Sequence, residues 1–175
     1  MVAAGTDTDL WKDVAHFLYG RGFWYADPLA EISGLAEDQL YWVPAAGSLC
    51  ILWQVGHIAI RERLHIGVFV QGLTGGVVPT QYRVFLDEAS PDEVRAAVGS
   101  LDEFYAWARD ARRESHRCID SLDALDLQRP ADGAAGNTDT TVAHWLYITV
   151  AHTALHIGRI QMLRAMIEGE PERAC

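Results

Sequence analysis

The chain has few cysteines, no long apolar run and no obvious targeting segment. Its three cysteines, Cys50, Cys118 and Cys175, lie far apart and form no Cys-x-x-Cys pair. This spacing argues against a thiol–disulfide redox motif and a cysteine zinc knuckle, and the odd number fits a reducing compartment. No uncharged apolar run reaches the roughly 18 residues that a membrane span needs. The first residues lack the basic and apolar regions of a secretory signal, so we predict a cytoplasmic protein.

Positive charge is also scarce. Fourteen Lys and Arg residues stand against 24 Asp and Glu, which gives a net charge of −10. Proteins that bind nucleic acids or anionic membranes carry basic patches. We therefore expect neither as a partner, and the charge says nothing more about function. The 175 residues, half of them apolar, suffice for one sizeable core, and we predict a single domain over residues 1–175.

Apolar residues recur at helical spacing in four segments of the chain. The predicted segments are residues 10–20, 49–71, 90–122 and about 138–168. Ser48 and Ser90 are the predicted N-caps of the second and third segments, and Gly169 ends the last one. A second capping pattern, Ser100-Leu-Asp-Glu103, predicts a break near Gly99. The connection over residues 72–89 is long enough for a crossover. Four amphipathic helices with such a connection predict an all-α four-helix bundle.

The apolar stripes of two helices predict which side chains face the core. In the second helix the stripe is Cys50, Trp53, His57, Ile60, Leu64 and Gly67. In the last helix it is Val142, Trp145, Thr149, His152, His156, Arg159, Leu163 and Met166. Both stripes contain histidine, and because a core histidine is not rare, a packing role has to be weighed against a functional one.

His152 and His156 are four residues apart, so they lie on one face of a helix, one turn apart. Two imidazoles so placed can bind one metal ion, and His57 is the candidate third ligand. The alternative is that all three are hydrogen-bonded core residues, although each buried ring then needs a partner for both nitrogens. The pattern leaves both readings open. Because Thr153 and Ala154 separate the pair, the glutamate of a His-Glu-x-x-His protease is absent.

The other histidines His16, His65, His116 and His144 are weaker candidates for the same site. His16 lies beside the stripe of the first helix and would be able to face a pocket. Trp53 is a candidate pocket wall. His144, eight residues before His152, is more readily explained as a partly buried or capping residue than as part of a metal site. No nucleophile-elbow, P-loop or dinucleotide-binding motif occurs.

Two stretches resemble one known family. Leu40-Tyr-Trp-Val-Pro-Ala-Ala-Gly-Ser48, followed by Ile51-Leu-Trp-Gln-Val-Gly-His-Ile-Ala59, resembles the second-helix region of the DinB-like superfamily. Ala151-His-x3-His-x-Gly-x3-Met-Leu-Arg164 resembles its last helix. The resemblance implies a four-helix bundle with a zinc or nickel ion held by His57, His152 and His156. It also implies a low-molecular-weight thiol such as mycothiol or bacillithiol as co-substrate, in an S-transferase or maleylpyruvate isomerase, and a homodimer.

The chain departs from this family where Arg159 replaces a frequent glutamine. An arginine there would bind a carboxylate or extend to the surface. The leading hypothesis is a metal-dependent transferase that adds a low-molecular-weight thiol to a small-molecule electrophilic substrate. Its catalytic residues would be His57, His152 and His156, and its substrate-binding residues would be His16, Trp53 and Arg159. One alternative keeps the ion in a hydrolase, an isomerase or a biosynthetic enzyme. The other is a non-catalytic bundle that binds a small molecule.

Overall fold

The computed structural model describes residues 7–21, 27–132 and 140–169. Within these ranges the chain forms helices and turns, with one isolated bridge between Pro130 and Thr141. The α-helices are α1 Asp7–Leu18, α2 Pro28–Glu31, α3 Glu37–Tyr41, α4 Ile51–Glu62, α5 Pro91–Val98, α6 Leu101–Ser121, α7 Ala124–Gln128 and α8 Val142–Glu168. The all-α class that the sequence predicts is confirmed. None of the helices in these ranges is long and apolar enough to cross a membrane.

Capping residues set several helix ends where the sequence predicts them. The Ser90 hydroxyl accepts the Glu93 N–H at the start of α5, and the Glu93 carboxylate accepts the Ser90 N–H in return. The Ser100 hydroxyl accepts the Glu103 N–H at the start of α6, directly after Gly99, whose φ of 58° ends α5. Gly169 ends α8 in the left-handed conformation, with φ of 70°. These conformations cost least at glycine, which has no Cβ.

The start of α4 differs from the prediction. Ser48 is not its N-cap, because it lies in the preceding turn, where the Ser48 N–H donates to the Ala45 carbonyl. The helix begins at Ile51 with Cys50 at the N-cap position, where no side-chain cap is made. Every residue from Ile51 to Ile60 is buried. An α-helix that is buried all round lies at the centre of a fold, so packing rather than a cap stabilises α4.

The helix of α4 continues without a break into a π-helical segment, Arg63–Val70. The wider turn of a π-helix changes which side chains face inward. Leu64, expected in the buried stripe, is only partly buried, and His65 is buried instead. The Phe69 carbonyl accepts a hydrogen bond from the Asp132 N–H at 2.9 Å. A contact from a distant loop therefore anchors the end of this segment.

Paired side chains give the relative directions of the long helices. Between α4 with its π-helical extension and α8, the pairs are Gln54–His156, His57–His152 and His65–Thr149. Residue numbers rise along one helix as they fall along the other, so the two are antiparallel. Helices α1 and α6 are also antiparallel, because Lys12 donates to the Asp120 carbonyl and the Arg112 guanidinium to the Tyr19 carbonyl.

Two apolar clusters show that α4 and α6 run in the same direction. The first half of α4 shares a cluster with Phe104, Ala108 and Ala111 of α6. Ile66 and Val70 of the π-helical segment share the second cluster with the end of α6. The connection from the π-helical segment to α6 must therefore run back to the end of the bundle at which α4 begins, as a crossover does. It contains a 3-10 helix, Thr80–Leu86, that packs against α4.

The predicted stripe of α8 is correct except at two positions near its end. Arg159 and Met166 belong to the predicted stripe, but both are exposed, while Leu163 is buried as predicted. Ile157 and Ile160 are also buried there. A stripe built from alternating three- and four-residue steps has a period of 3.5 residues, so it drifts by about 20° per heptad from a straight helix. Over a helix of 27 residues, this drift exposes one side of the predicted stripe and leaves the other side buried.

Candidate metal centre

Three histidines from two helices converge inside the protein. His57 of α4 and His152 and His156 of α8 each offer one ring nitrogen, and these three atoms lie within 4.8 Å of one another. His57 and His156 are buried and His152 is partly buried. The antiparallel packing of α4 against α8 brings together residues that are 95 positions apart in the chain. The predicted cluster of three histidines is therefore present.

Neighbouring acceptors determine which nitrogen of two rings faces the centre. The Nδ1–H of His57 donates to the Phe85 carbonyl at 2.6 Å. The Nδ1–H of His156 donates to the Gln54 side-chain oxygen at 2.5 Å. A neutral imidazole with hydrogen on Nδ1 carries its lone pair on Nε2. Both rings are therefore oriented and protonated as metal-ligating histidines usually are.

The third ring indicates why an ion fits here. The Nε2 atoms of His57 and His152 face each other at 3.1 Å. If the hydrogen of neutral His152 were on Nε2, so that it could be donated to His57, the Nδ1 of His152 would be a hydrogen-bond acceptor. That atom is buried and has no hydrogen-bond partner. A cation between the rings would use the Nε2 lone pairs and let Nδ1 keep its hydrogen. Three imidazole nitrogens suit zinc or nickel among other transition metals.

The three imidazoles are held in the neutral form that a metal ion requires. Burial lowers the pKa of His57 to about 4, with Arg61 and Arg159 lowering it further against the opposing hydrogen bond to Phe85. Burial also lowers the pKa of His152 to about 4 and that of His156 to about 3. The neighbouring histidines and the same two arginines act in the same direction on both.

Trp53 and Arg159, two of the predicted substrate-binding residues, are close to the cluster. The Trp53 ring stacks on the His57 ring, with centroids 4.4 Å apart and an interplanar angle of 17°. Its indole N–H donates to the Asp87 carbonyl at 2.9 Å, which fixes the ring. Arg159 is exposed but acts electrostatically on all three histidines. Their roles toward substrate stay predictions.

His16 and His144 lie in other surroundings. His16 of α1 is buried, and its two ring nitrogens contact His116 at 2.8 Å and the Asp120 carboxylate at 2.6 Å, both on α6. Its polar partners are thus outside the three-histidine cluster. His144 is exposed at the start of α8, where its Nδ1 accepts the Thr141 N–H. The capping explanation of His144 is the one that its contacts support.

Sequence reasoning missed two residues around the cluster and gave a third, His65, only as a weaker candidate. Gln54 and the Phe85 carbonyl orient two of the rings, and His65 lies beside the third, with 6.0 Å between the His65 and His152 ring centroids. A backbone carbonyl has no sequence signature. His65 falls outside a regular α-helical stripe, and only the π-helical segment turns it inward. Gln54, three residues before His57 and at the same helical spacing, was the one detectable signal.

Acidification is expected to destabilise the metal-free protein through these histidines. Their pKa values in the fold are about 3 to 4, against an ordinary value of 6.5. Between these values the unfolded chain binds more protons, so the free energy of unfolding falls as pH falls. The contribution of these histidines to stability is fully present above about pH 6.5. It is lost progressively as the pH falls through their pKa values of about 4 to about 3. Denaturant unfolding at several pH values measures this. His156→Gln removes one such group and should flatten the slope; an unchanged slope would contradict the account.

Gly56→Ala is expected to disturb the support of His57. A Cβ at this position would lie 2.5–2.6 Å from three ring carbons of Phe85, which is fully buried. Overpacking of this kind costs about 1–3 kcal/mol, and moving Phe85 also moves the carbonyl that binds His57. We expect lower stability and weaker metal binding, measured by denaturant unfolding and chelator competition.

Gly158→Ala is the matched control for Gly56→Ala. It lies in α8 two residues after His156, and an added Cβ meets nothing within 4 Å. Alanine in an exposed helix position stabilises by about 0.5–1 kcal/mol relative to glycine. If Gly56→Ala behaved like Gly158→Ala, the packing of Phe85 would not support the site.

The helices and the cluster define an all-α protein with three histidines close enough together to hold one metal ion. A model of the DinB superfamily matches residues 26–160, well over half of the chain. The chain belongs to the DinB superfamily. No curated protein matches it. The family match covers α4, α6 and all three histidines, so the family resemblance of the two sequence stretches is confirmed.

Proposed function

We propose that this protein is a metal-dependent transferase that joins a low-molecular-weight thiol to an electrophilic carbon of a small substrate. The observation that carries the proposal is the convergence of three neutral imidazoles, two of them with Nδ1 already donating to an acceptor. Such a donor set leaves the full charge on a divalent ion, because none of its ligands is anionic. Zinc or nickel is the proposed ion, and mycothiol or bacillithiol is the class of thiol.

The chain's residues would divide the work as follows. His57, His152 and His156 would hold the ion, while Phe85 and Gln54 keep two of the rings in place. An ion held there would lower the pKa of a thiol reactant, so that thiolate would be available at neutral pH. In the transfer, a sulfur–carbon bond forms as the bond to the leaving group breaks, and the thiol proton passes to solvent. Trp53 would form one wall beside the reacting groups.

Two arginines favour a reactant with negative charge. Arg61 and Arg159 both act electrostatically on His57, His152 and His156. Neither forms an ion pair with a carboxylate among residues 7–21, 27–132 and 140–169. An arginine can bind a carboxylate through two parallel hydrogen bonds. This supports a thiol or an electrophile that carries a carboxylate.

The test is turnover with and without thiol. Full-length protein loaded with zinc or nickel is incubated with a panel of electrophiles and thiols, and adducts are identified by mass spectrometry. We expect adduct formation that needs both thiol and metal. In Arg159→Gln, KM should rise for carboxylate-bearing reactants more than for neutral analogues. Turnover that is independent of thiol would contradict the transferase proposal and favour the hydrolase or isomerase alternative.

The proposed homodimer would suit the exposed apolar side chains of α1 and α8. These are Leu10, Val14 and Phe17 on α1 and Tyr147, Ile148, Leu155, Met162 and Met166 on α8. The two helices contact each other, and exposed apolar side chains on neighbouring helices are typical of an interaction surface. Sedimentation equilibrium measures the oligomeric state, and a monomer at all protein concentrations would exclude the dimer.

A further inference from the structure

One of the three candidate ligands lacks a hydrogen-bond partner that the other two have. The Nδ1–H of His57 has the Phe85 carbonyl and that of His156 has the Gln54 side chain. The Nδ1 of His152 is buried and has no hydrogen-bond partner. Metal-ligating histidines almost always donate their second ring N–H to an acceptor. An acceptor for His152 is therefore the missing part of the site.

His65 is the histidine outside the cluster whose ring lies near His152. The two ring centroids are 6.0 Å apart with an interplanar angle of 73°. His65 is buried, and it belongs to the π-helical segment Arg63–Val70, which turns it toward α8. Single π-helical turns occur often at functional sites. The segment thus places a fourth imidazole beside the ligand that lacks a partner.

The hydrogen bonds of His65 determine which of its nitrogens can accept. The Thr149 hydroxyl donates its single hydrogen to the Trp145 carbonyl at 2.7 Å. Toward His65 the same oxygen can only accept, so the contact of 3.0 Å is a bond from His65 Nδ1–H to Thr149. The Nε2 of neutral His65 then carries a lone pair. Burial and the neighbouring His152, Arg61 and His57 lower the pKa of His65 to about 3, which keeps it neutral.

We propose that His65 is the positioning residue of His152, with its Nε2 accepting the Nδ1–H of that ligand. The inference rests on the proposed metal site. It gives every ligand an acceptor and extends one of them into a chain of bonds. His152 donates to His65, His65 donates to Thr149, and Thr149 donates to the backbone of α8. The structure shows the last two of these bonds, and the bond from His152 to His65 is the one that the proposal adds.

Another donor competes for the same acceptor. The indole N–H of Trp145 is buried and has no hydrogen-bond partner, and its ring centroid is 5.0 Å from that of His65. If the Nε2 of His65 accepted the indole N–H of Trp145 instead, His65 would have a packing role and would not position His152. Trp145→Phe removes the indole N–H and leaves His65 and His152 in place. This variant therefore separates the two roles.

The test compares zinc affinity in wild type, His65→Leu, His65→Gln and Trp145→Phe by competition with a chelator. We expect His65→Leu to bind zinc about 10–100-fold more weakly, as loss of an outer partner does in other metal sites. Glutamine offers an acceptor to His152 and a donor to Thr149, so His65→Gln should recover most of the affinity. Trp145→Phe should bind like wild type. Equal affinity in His65→Leu, or a loss in Trp145→Phe alone, would overturn the proposal.

A second readout does not depend on how well a variant folds. In zinc-loaded wild type with 15N-labelled histidine, we expect slowly exchanging Nδ1–H signals from His57, His152 and His156, and coupling from that of His152 to His65 Nε2. A rapidly exchanging His152 signal without this coupling would overturn the proposal even if His65→Leu does not fold. If wild type binds no zinc, the metal site itself fails and the inference with it. If wild type binds zinc and His65→Leu binds equally, only the inference fails.

Discussion

His156→Ala is expected to abolish stoichiometric binding of a divalent ion. It removes one of two ligands from α8 and leaves the Gln54 side-chain oxygen without its donor. Because His156 would contact the ion directly, its loss should lower the metal affinity by more than the roughly 10–100-fold that follows from loss of a hydrogen-bond partner of a ligand. His57→Ala and His152→Ala should behave in the same way, because three nitrogens within 4.8 Å share one ion. Chelator competition and elemental analysis of the purified variants measure the effect.

His144→Gln is the matched control for the ligand variants. His144 lies on the same helix but is exposed and accepts the Thr141 N–H at its start. Glutamine at this position keeps the capping box with Thr141, so the helix should be preserved and the metal content unchanged. If His156→Ala retained the ion at wild-type affinity, the three-histidine site would be wrong.

Arg112→Met should destabilise the fold strongly. The Arg112 guanidinium lies 2.6 Å from the Glu62 carboxylate, whose side chain is 1% exposed. Burial raises the pKa of Glu62, and Arg112 opposes this shift. Removing one partner of a buried ion pair leaves an uncompensated charge and costs about 3–5 kcal/mol. Denaturant unfolding of metal-free protein at neutral pH measures the loss separately from any effect of metal.

Two further variants show whether the loss comes from the unpaired charge. The double variant Glu62→Leu with Arg112→Met removes both charges and should recover much of the stability, because apolar pairs often replace buried ion pairs at little cost. Arg113→Met breaks the exposed pair with Asp110 and should cost about 1 kcal/mol or less. A double variant no more stable than Arg112→Met would show that packing, not charge, causes the loss.

The sequence predicts the helices that local signals control. Ser90, Ser100 and Gly169 end or begin helices where a short pattern is enough. The pair His152 and His156 follows from helical spacing alone, and His57 follows from its place in a second stripe. These predictions depend on residues within one or two turns of each other, which is why they are confirmed without knowledge of the tertiary structure.

The remaining features depend on contacts between distant parts of the chain. The π-helical segment ends where Asp132 donates to the Phe69 carbonyl, so a regular period could not place His65. The N-cap position of α4 is Cys50 and not the predicted Ser48, because burial on all sides stabilises this helix without a side-chain cap. Arg159 fell in the predicted stripe because the assumed period drifts along a long helix, and its exposed position matches the alternative that it extends to the surface. Its exposed position still leaves it close enough to act on the three histidines.

The central claim is that His57, His152 and His156 hold one metal ion, and the metal content of the full-length protein tests it most directly. Protein purified without chelators is analysed for metals, and X-ray absorption at the metal edge identifies the ligand atoms. We predict one zinc or nickel ion per chain with histidine nitrogens in its shell, lost on chelation and regained on addition of metal. Protein without bound metal that takes up none when zinc or nickel is supplied would contradict the account.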